Sequence, residues 1–189
     1  ADASGIGKVD LTGNDVLGSD DARGTAISLA SINDNVTVQD GSVDFADTGI
    51  DVGDSGGDFV DISGTTFTNI TDTGAGNGAI SVSDGGGADD VFVDDVTILD
   101  SENGDGLNFD DTGTNLEVTN SEINDTTTGI SVNDVGTQAV ISSTSVDYSG
   151  TAIEVNDPAQ GAQAANVVVN ESVSIDQGDN GIILTHSVN

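Results

Sequence analysis

The stretch LEVTNSEINDTTTGISV, residues 116–132, contains the fold in miniature. Leu116 and Val118 alternate with polar neighbours, Ile123 stands alone after the small polar run TNS (119–121), and Ile130 and Val132 alternate again. Alternation with a period of two over so few residues marks short strands with one apolar face. No window places apolar residues at i, i+3 and i+4, so no amphipathic helix is expected. Strands this short cannot bury an apolar face alone, and the rest of the chain supplies copies for them to stack on.

The copies are phased. A small residue followed by a branched apolar one recurs in GTAISL (24–29), GIDV (49–52), GAISV (78–82), GLNF (106–109), GISV (129–132), GTAIEV (150–155) and GIIL (181–184). The leading apolar residues, Ile27, Ile50, Ile80, Leu107, Ile130, Ile153 and Ile182, lie 23, 30, 27, 23, 23 and 29 residues apart. A second run follows each of the first six: NVTV (35–38), VDI (60–62), VFV (91–93), LEV (116–118), AVI (139–141) and VVV (167–169). A third anchor comes a few residues later at Val43, Phe67, Ile98, Ile123, Val146 and Ile175. Three short strands per period make one turn of a coil, and each coil pairs with those above and below at about 4.8 Å. The segments SGT (63–65), TNS (119–121), SST (142–144) and NES (170–172) are suited to the corners. Extra residues of the longer periods fall in loops such as DSGGD (54–58) and SDGGGADD (83–90).

On LEVTNSEINDTTTGISV and DISGTTFTNITDTGAGNGAISV (61–82), the chain resembles the right-handed parallel β-helix superfamily, the pectate-lyase-like fold, over roughly residues 24–184. The resemblance implies an all-β, right-handed parallel β-helix of about seven rungs with three short strands each. Residues 1–23 are expected to form an N-terminal cap or partial rung, and 24–189 the repeats, ending in an open, unfinished rung. A left-handed β-helix would show a strict hexapeptide repeat and a leucine-rich solenoid would need many Leu; neither is present. A β-sandwich is the main alternative. The superfamily includes lyases, hydrolases, phage spikes and inert passengers, so it implies a fold and no single activity.

Composition narrows the function. There is no Cys, so disulfides and thiolate metal sites are excluded, and no apolar run is long enough to cross a bilayer as a helix. Ala1 in place of an initiator Met points to a processed chain or an excised fragment. The 34 acidic residues against Lys8 and Arg23 give a formal net charge of −32, a surface that repels nucleic acid and anionic lipid. Of the acids 29 are Asp and 5 are Glu, which assigns the charge to turns rather than helices. Depletion of Lys and excess of Asp fit saline surroundings.

Catalysis has few residues to work with. Lyase chemistry of the pectate-lyase type needs a basic residue beside a carboxylate, and the candidates Lys8, Arg23 and His186 all lie outside the central rungs. The Asp pairs 20–21, 89–90, 94–95 and 110–111 lack the accompanying His and Arg/Lys motifs, and solvated turn carboxylates account for them. A non-enzymatic protein is therefore expected. GGGADDVFV (85–93) resembles the calcium-binding nonapeptide of RTX proteins, and Asp84, Asp89, Asp90, Asp94 and Asp95 offer hard oxygen ligands to calcium. Asn35, Asn69, Asn124 and Asn170 begin glycosylation sequons. Thr-rich runs such as TTFT (65–68) form no regular ladder of the kind that ice-binding helices use.

The C-terminal run GIILTHSVN puts Ile183 where earlier rungs place Ser28, Asp51, Ser81 and Ser131. An apolar residue on a polar face marks a contact surface, and Gly181, Ile182, Ile183, Leu184 and His186 are expected to form an assembly interface with a second copy, head to tail. The expected function is that of an extracellular structural protein, a surface filament or part of a long stalk. A calcium-dependent adhesin or passenger segment binding carbohydrate or a surface is the alternative, and a polysaccharide-acting enzyme a more distant one.

Overall fold

The computed structural model describes residues 8–18, 24–30, 32, 34–53, 59–71, 78–83, 90–110, 115–133, 135–147, 150–157, 166–170, 173–176 and 178–186. Its strands follow one another as turns of a coil. The first coil is β1 (Val9–Thr12), β2 (Asp15–Leu17) and β3 (Thr25–Ala30). The second is β4 (Val36–Gln39), β5 (Ser42–Ala46) and β6 (Thr48–Gly53), and the third β7 (Phe59–Ser63), β8 (Thr66–Ile70) and β9 (Gly78–Ser83). In the fourth, β10 (Asp90–Asp94) is followed by β11 (Thr97–Asp110), which runs unbroken over two sides; β12 (Asn115–Thr119) and β13 (Glu122–Asn133) repeat this in the fifth. The sixth is β14 (Gln138–Ser142), β15 (Ser145–Asp147) and β16 (Thr151–Asp157), and the last β17 (Asn166–Val169), β18 (Ser174–Asp176) and β19 (Asn180–His186).

Every pairing is parallel and links one coil to the next, so the fold is a parallel β-solenoid of the right-handed type and not a sandwich. One side stacks β1, β4, β7, β10, β12, β14 and β17; the second runs from β2 to β18 and the third from β3 to β19. Turns bonded on both sides number about five, fewer than the seven rungs expected, because the coils β1–β3 and β17–β19 each have a partner on one side only among the described residues.

The alternating residues form inward columns. On the third side Ile27, Ile50, Ile80, Leu107, Ile130, Ile153 and Ile182 are in register, and beside them Leu29, Val52, Val82, Phe109, Val132, Val155 and Leu184. On the second side Val16, Val43, Phe67, Ile98, Ile123, Val146 and Ile175 form the single column. From the second coil to the sixth these side chains are buried, and Phe67 and Phe109 are the largest fully buried ones. Like residues stack on like at strand spacing, so the narrow core is built mainly of branched aliphatic side chains, with Phe67 and Phe109 as its buried aromatics.

The small residue preceding each leading apolar one forms a column of its own: Ala26, Gly49, Ala79, Gly106, Gly129, Ala152 and Gly181. It passes the second-side anchors at close range. A Cβ on Gly106 would lie 2.6 Å from Ile123 Cγ2 of the next coil and 2.6 Å from the Gly129 carbonyl oxygen, and one on Gly129 would collide with Val146 Cγ1.

The corners use the left-handed region. After the first side, Gly13, Asp40, Gly64, Asp95, Asn120 and Ser143 have φ between 50° and 65° in six successive coils. After the second side, Phe45, Asn69, Asp100 and Asp125 have φ between 52° and 66°. Asn and Asp tolerate this conformation better than other residues with a Cβ, so part of the Asp excess serves the corners. At three first-side corners the next residue is buried and its hydroxyl donates back across the corner: Thr65 Oγ1 to the Ser63 carbonyl at 3.1 Å, Ser121 Oγ to Thr119 at 2.8 Å and Thr144 Oγ1 to Ser142 at 2.9 Å.

Candidate functional site

Several carboxylates on the sides of the solenoid accept hydrogen bonds from a neighbouring coil. Asp94 Oδ1 accepts from Thr119 Oγ1 at 2.6 Å and Asn120 Nδ2 at 2.7 Å, both on the next coil. Asp44 Oδ1 is clasped in the same way by Thr68 Oγ1 at 3.0 Å and Asn69 Nδ2 at 2.8 Å. Asn115 Nδ2 donates to Asp90 Oδ1 at 2.5 Å and Ser42 Oγ to Asp15 Oδ1 at 2.7 Å. Such charge-assisted bonds fix the register between coils from outside, as the apolar columns do from inside. Thr119-Asn120 falls in the TNS corner legible in the sequence; its bond to a carboxylate one coil away is not legible there, and Thr68-Asn69 carries no such signal.

Of the candidate calcium ligands, Asp84 and Asp89 lie outside the described residues. Asp90 and Asp94 stand at opposite ends of β10, about 13 Å apart at ~3.3 Å per residue, so one ion cannot take both as ligands at calcium distances. Asp95 is exposed on the corner that follows. Among the described residues no group of three or more acidic or His side chains could hold a metal ion.

The sequon asparagines differ in setting. Asn69 is tied to Asp44 as above, and Asn124 Nδ2 donates to Glu122 Oε1 at 2.9 Å. Asn35 Oδ1 is buried without a hydrogen-bond partner, and Asn170 is exposed at the end of β17. Lys8 pairs with Asp10 at 3.2 Å, and this bond, with that from Thr12, holds the Asp10 carboxyl below its usual range. The Arg23 position and the His186 side chain are outside the described residues.

On the third side the row alternating with the inward columns is Ser28, Asp51, Ser81, Asn108, Ser131, Glu154 and Ile183, of which Ser81, Asn108 and Ser131 are buried. Burial pushes the Asp51 carboxyl above its usual value. The folded chain therefore holds this proton more tightly than the unfolded chain, so ionising Asp51 costs stability as pH rises through its folded value, and the cost is absent at lower pH. Asp51→Asn is expected to raise the melting temperature at neutral pH and to leave it unchanged in acid; equal melting at both pH values would contradict the assignment.

The other end of that row belongs to the last coil. Ile182 and Leu184 continue the two inward columns yet are 44% and 66% exposed, where Ile153 and Val155 one coil earlier are 0% and 5%. Val168 is 42% exposed, and among the described residues no strand pairs with the outer edges of β17, β18 or β19. At the opposite end, the outer edges of β1, β2 and β3 are equally unpaired among the described residues, and Leu17 is 76% exposed. An open cavity of about 320 Å³ lies there between Val16, Gly24, Ala26 and Phe45. The structure thus brings Gly181, Ile182, Ile183, Leu184 and His186 together on one edge strand.

No protein-family model matches the chain, and neither does any curated protein or solved structure. No helix among the described residues is long and apolar enough to cross a membrane.

Proposed function

We propose that the protein is a non-enzymatic, extracellular structural element whose solenoid is extended end to end, the last coil of one copy stacking on the first coil of the next to build a surface filament or stalk. The observation that carries this reading is the exposure of the inward columns at Ile182 and Leu184, on a strand whose outer edge has no partner among the described residues. The two ends match: β19 can add to β3 of a second copy with Ile182 over Ile27 and Leu184 over Leu29, β17 to β1 with Val167 over Val9, and β18 to β2 with Ile175 over Val16. Each column would then run on through the junction at strand spacing, and the edge N–H and C=O groups would find partners. Such a head-to-tail contact does not close on itself and therefore makes a fibre. The work is mechanical, a stiff rod held by backbone ladders, and the acidic exterior keeps it hydrated.

Negative-stain electron microscopy at low and high salt, with and without calcium, tests this reading. Fibres with an axial repeat near 33 Å, seven coils at about 4.8 Å, are the expected result. Compact monomers under every condition would overturn it.

A further inference from the structure

Three Asn-Gly pairs occur in the chain: Asn77-Gly78, Asn103-Gly104 and Asn180-Gly181. In such a pair the backbone nitrogen of the glycine can attack the asparagine side chain with no Cβ in the way. The three glycines sit differently in the fold, while Asn77 and the Asn103 side chain lie outside the described residues. Gly78 is buried on β9, between β6 and β11, and a Cβ there would lie 2.6 Å from the Asp105 carbonyl oxygen. Gly104 is buried on β11, in the stretch between Ser101 and Asp105 where the ladder to β13 shifts register. Asn180 and Gly181 are both exposed, and nothing lies within 4 Å of a Cβ built on Gly181.

The direction of the backbone singles out the third pair further. The Asn180 N–H donates inward to the Gly150 carbonyl at 2.9 Å. Successive residues of a parallel strand turn their N–H groups to opposite sides, so the Gly181 N–H faces the outer edge of β19. No described strand pairs with that edge. An edge strand at the end of a repeat array also opens more readily than strands paired on both sides, which gives the Asn180 side chain the freedom to reach the nitrogen that follows it.

We propose that Asn180 is a site of spontaneous deamidation. The bond between the Gly181 nitrogen and Asn180 Cγ forms, the bond from Cγ to Nδ2 breaks, and the displaced amide proton leaves on ammonia. A five-membered succinimide remains, and water opens it at one carbonyl to aspartate or at the other to isoaspartate. The net change is water in and ammonia out, with no oxidation or reduction. Either product adds a negative charge to β19, and isoaspartate also lengthens the main chain by a methylene, which shifts Ile182 against Ile153. Resting on the assembly reading, stacking gives the Gly181 N–H a partner and protects Asn180, whereas an aged free end stacks poorly.

The test is a time course of peptide mass spectrometry on the full folded chain, held dilute at low salt and mildly alkaline pH. Deamidation at Asn180 is expected to outpace that at Asn77 and Asn103 by about tenfold or more, and urea should bring the three rates together as the protection is lost. Asn180→Gln should remove the fast phase without changing the melting curve. Equal rates at the three sites in the folded chain would overturn the proposal. Failure to form fibres would overturn the assembly reading and leave a fast Asn180 intact, so the two can fail separately.

Discussion

Valine at Gly129 is expected to destabilise the chain by about 3 kcal/mol or more, at or beyond the upper end of what overpacking usually costs. A Cβ at this position would collide with Val146 Cγ1 and lie 2.6 Å from the Ala152 carbonyl oxygen. Neither neighbour is the free end of a flexible side chain: one is a core anchor fully packed in its column, the other a backbone group of the next coil. Relief requires the coils to separate locally, and each coil of a solenoid is stabilised through its neighbours. Against a total stability of about 5–15 kcal/mol for a domain, the loss is large. Gly181→Val supplies the control, because that site has open space, and its effect should stay within about 0.5 kcal/mol. Urea melts of the two variants decide the matter. Similar midpoints for both would mean that the Gly/Ala column is not a packing requirement.

The double substitution Ile182→Asp and Leu184→Asp is expected to abolish fibres while leaving the isolated chain folded. Both side chains are largely exposed in the single chain, so the change costs little there. In a stack they would be enclosed as Ile153 and Val155 are, and burying a carboxylate without a partner costs several kcal/mol. Circular dichroism should match the parent, and sedimentation and microscopy should show monomers at salt concentrations where the parent assembles. Fibres from the doubly substituted chain would place the junction elsewhere.

Much of the fold could be read directly from the sequence, because a solenoid writes its cross-section once per period. Leu116, Val118, Ile123, Ile130 and Val132 all point inward, as their spacing requires. The corners at SGT, TNS and SST lie where small polar residues cluster, and the structure adds the reason: Gly64, Asn120 and Ser143 take the left-handed conformation and the residue after each bonds back across the turn. The small residue before each leading apolar one was visible as a pattern, but its cause, the close passage of the next coil, depends on three-dimensional register. The same holds for the clasps on Asp44 and Asp94, whose partners are 24 to 26 residues away. In the acidic run, Asp90 and Asp94 are near each other in the chain, and an extended strand holds them apart with each bonded to its own neighbour, a separation that depends on the strand and not on sequence distance. At the C-terminal edge the apolar Ile183 in a polar row was legible, whereas the direction of the Gly181 N–H follows only from the ladder.

The stacking of one coil every ~4.8 Å also fixes how charge is distributed along the axis. Thirty-two formal negative charges over seven coils, about 33 Å, amount to about one per ångström, denser than duplex DNA with one per ≈1.7 Å. The rod is thus a polyelectrolyte. Cations are expected to condense along it and cancel much of its field, so in the proposed stack adding another copy would cost less electrostatic work than the bare charge suggests, and that work should vary with the logarithm of salt concentration.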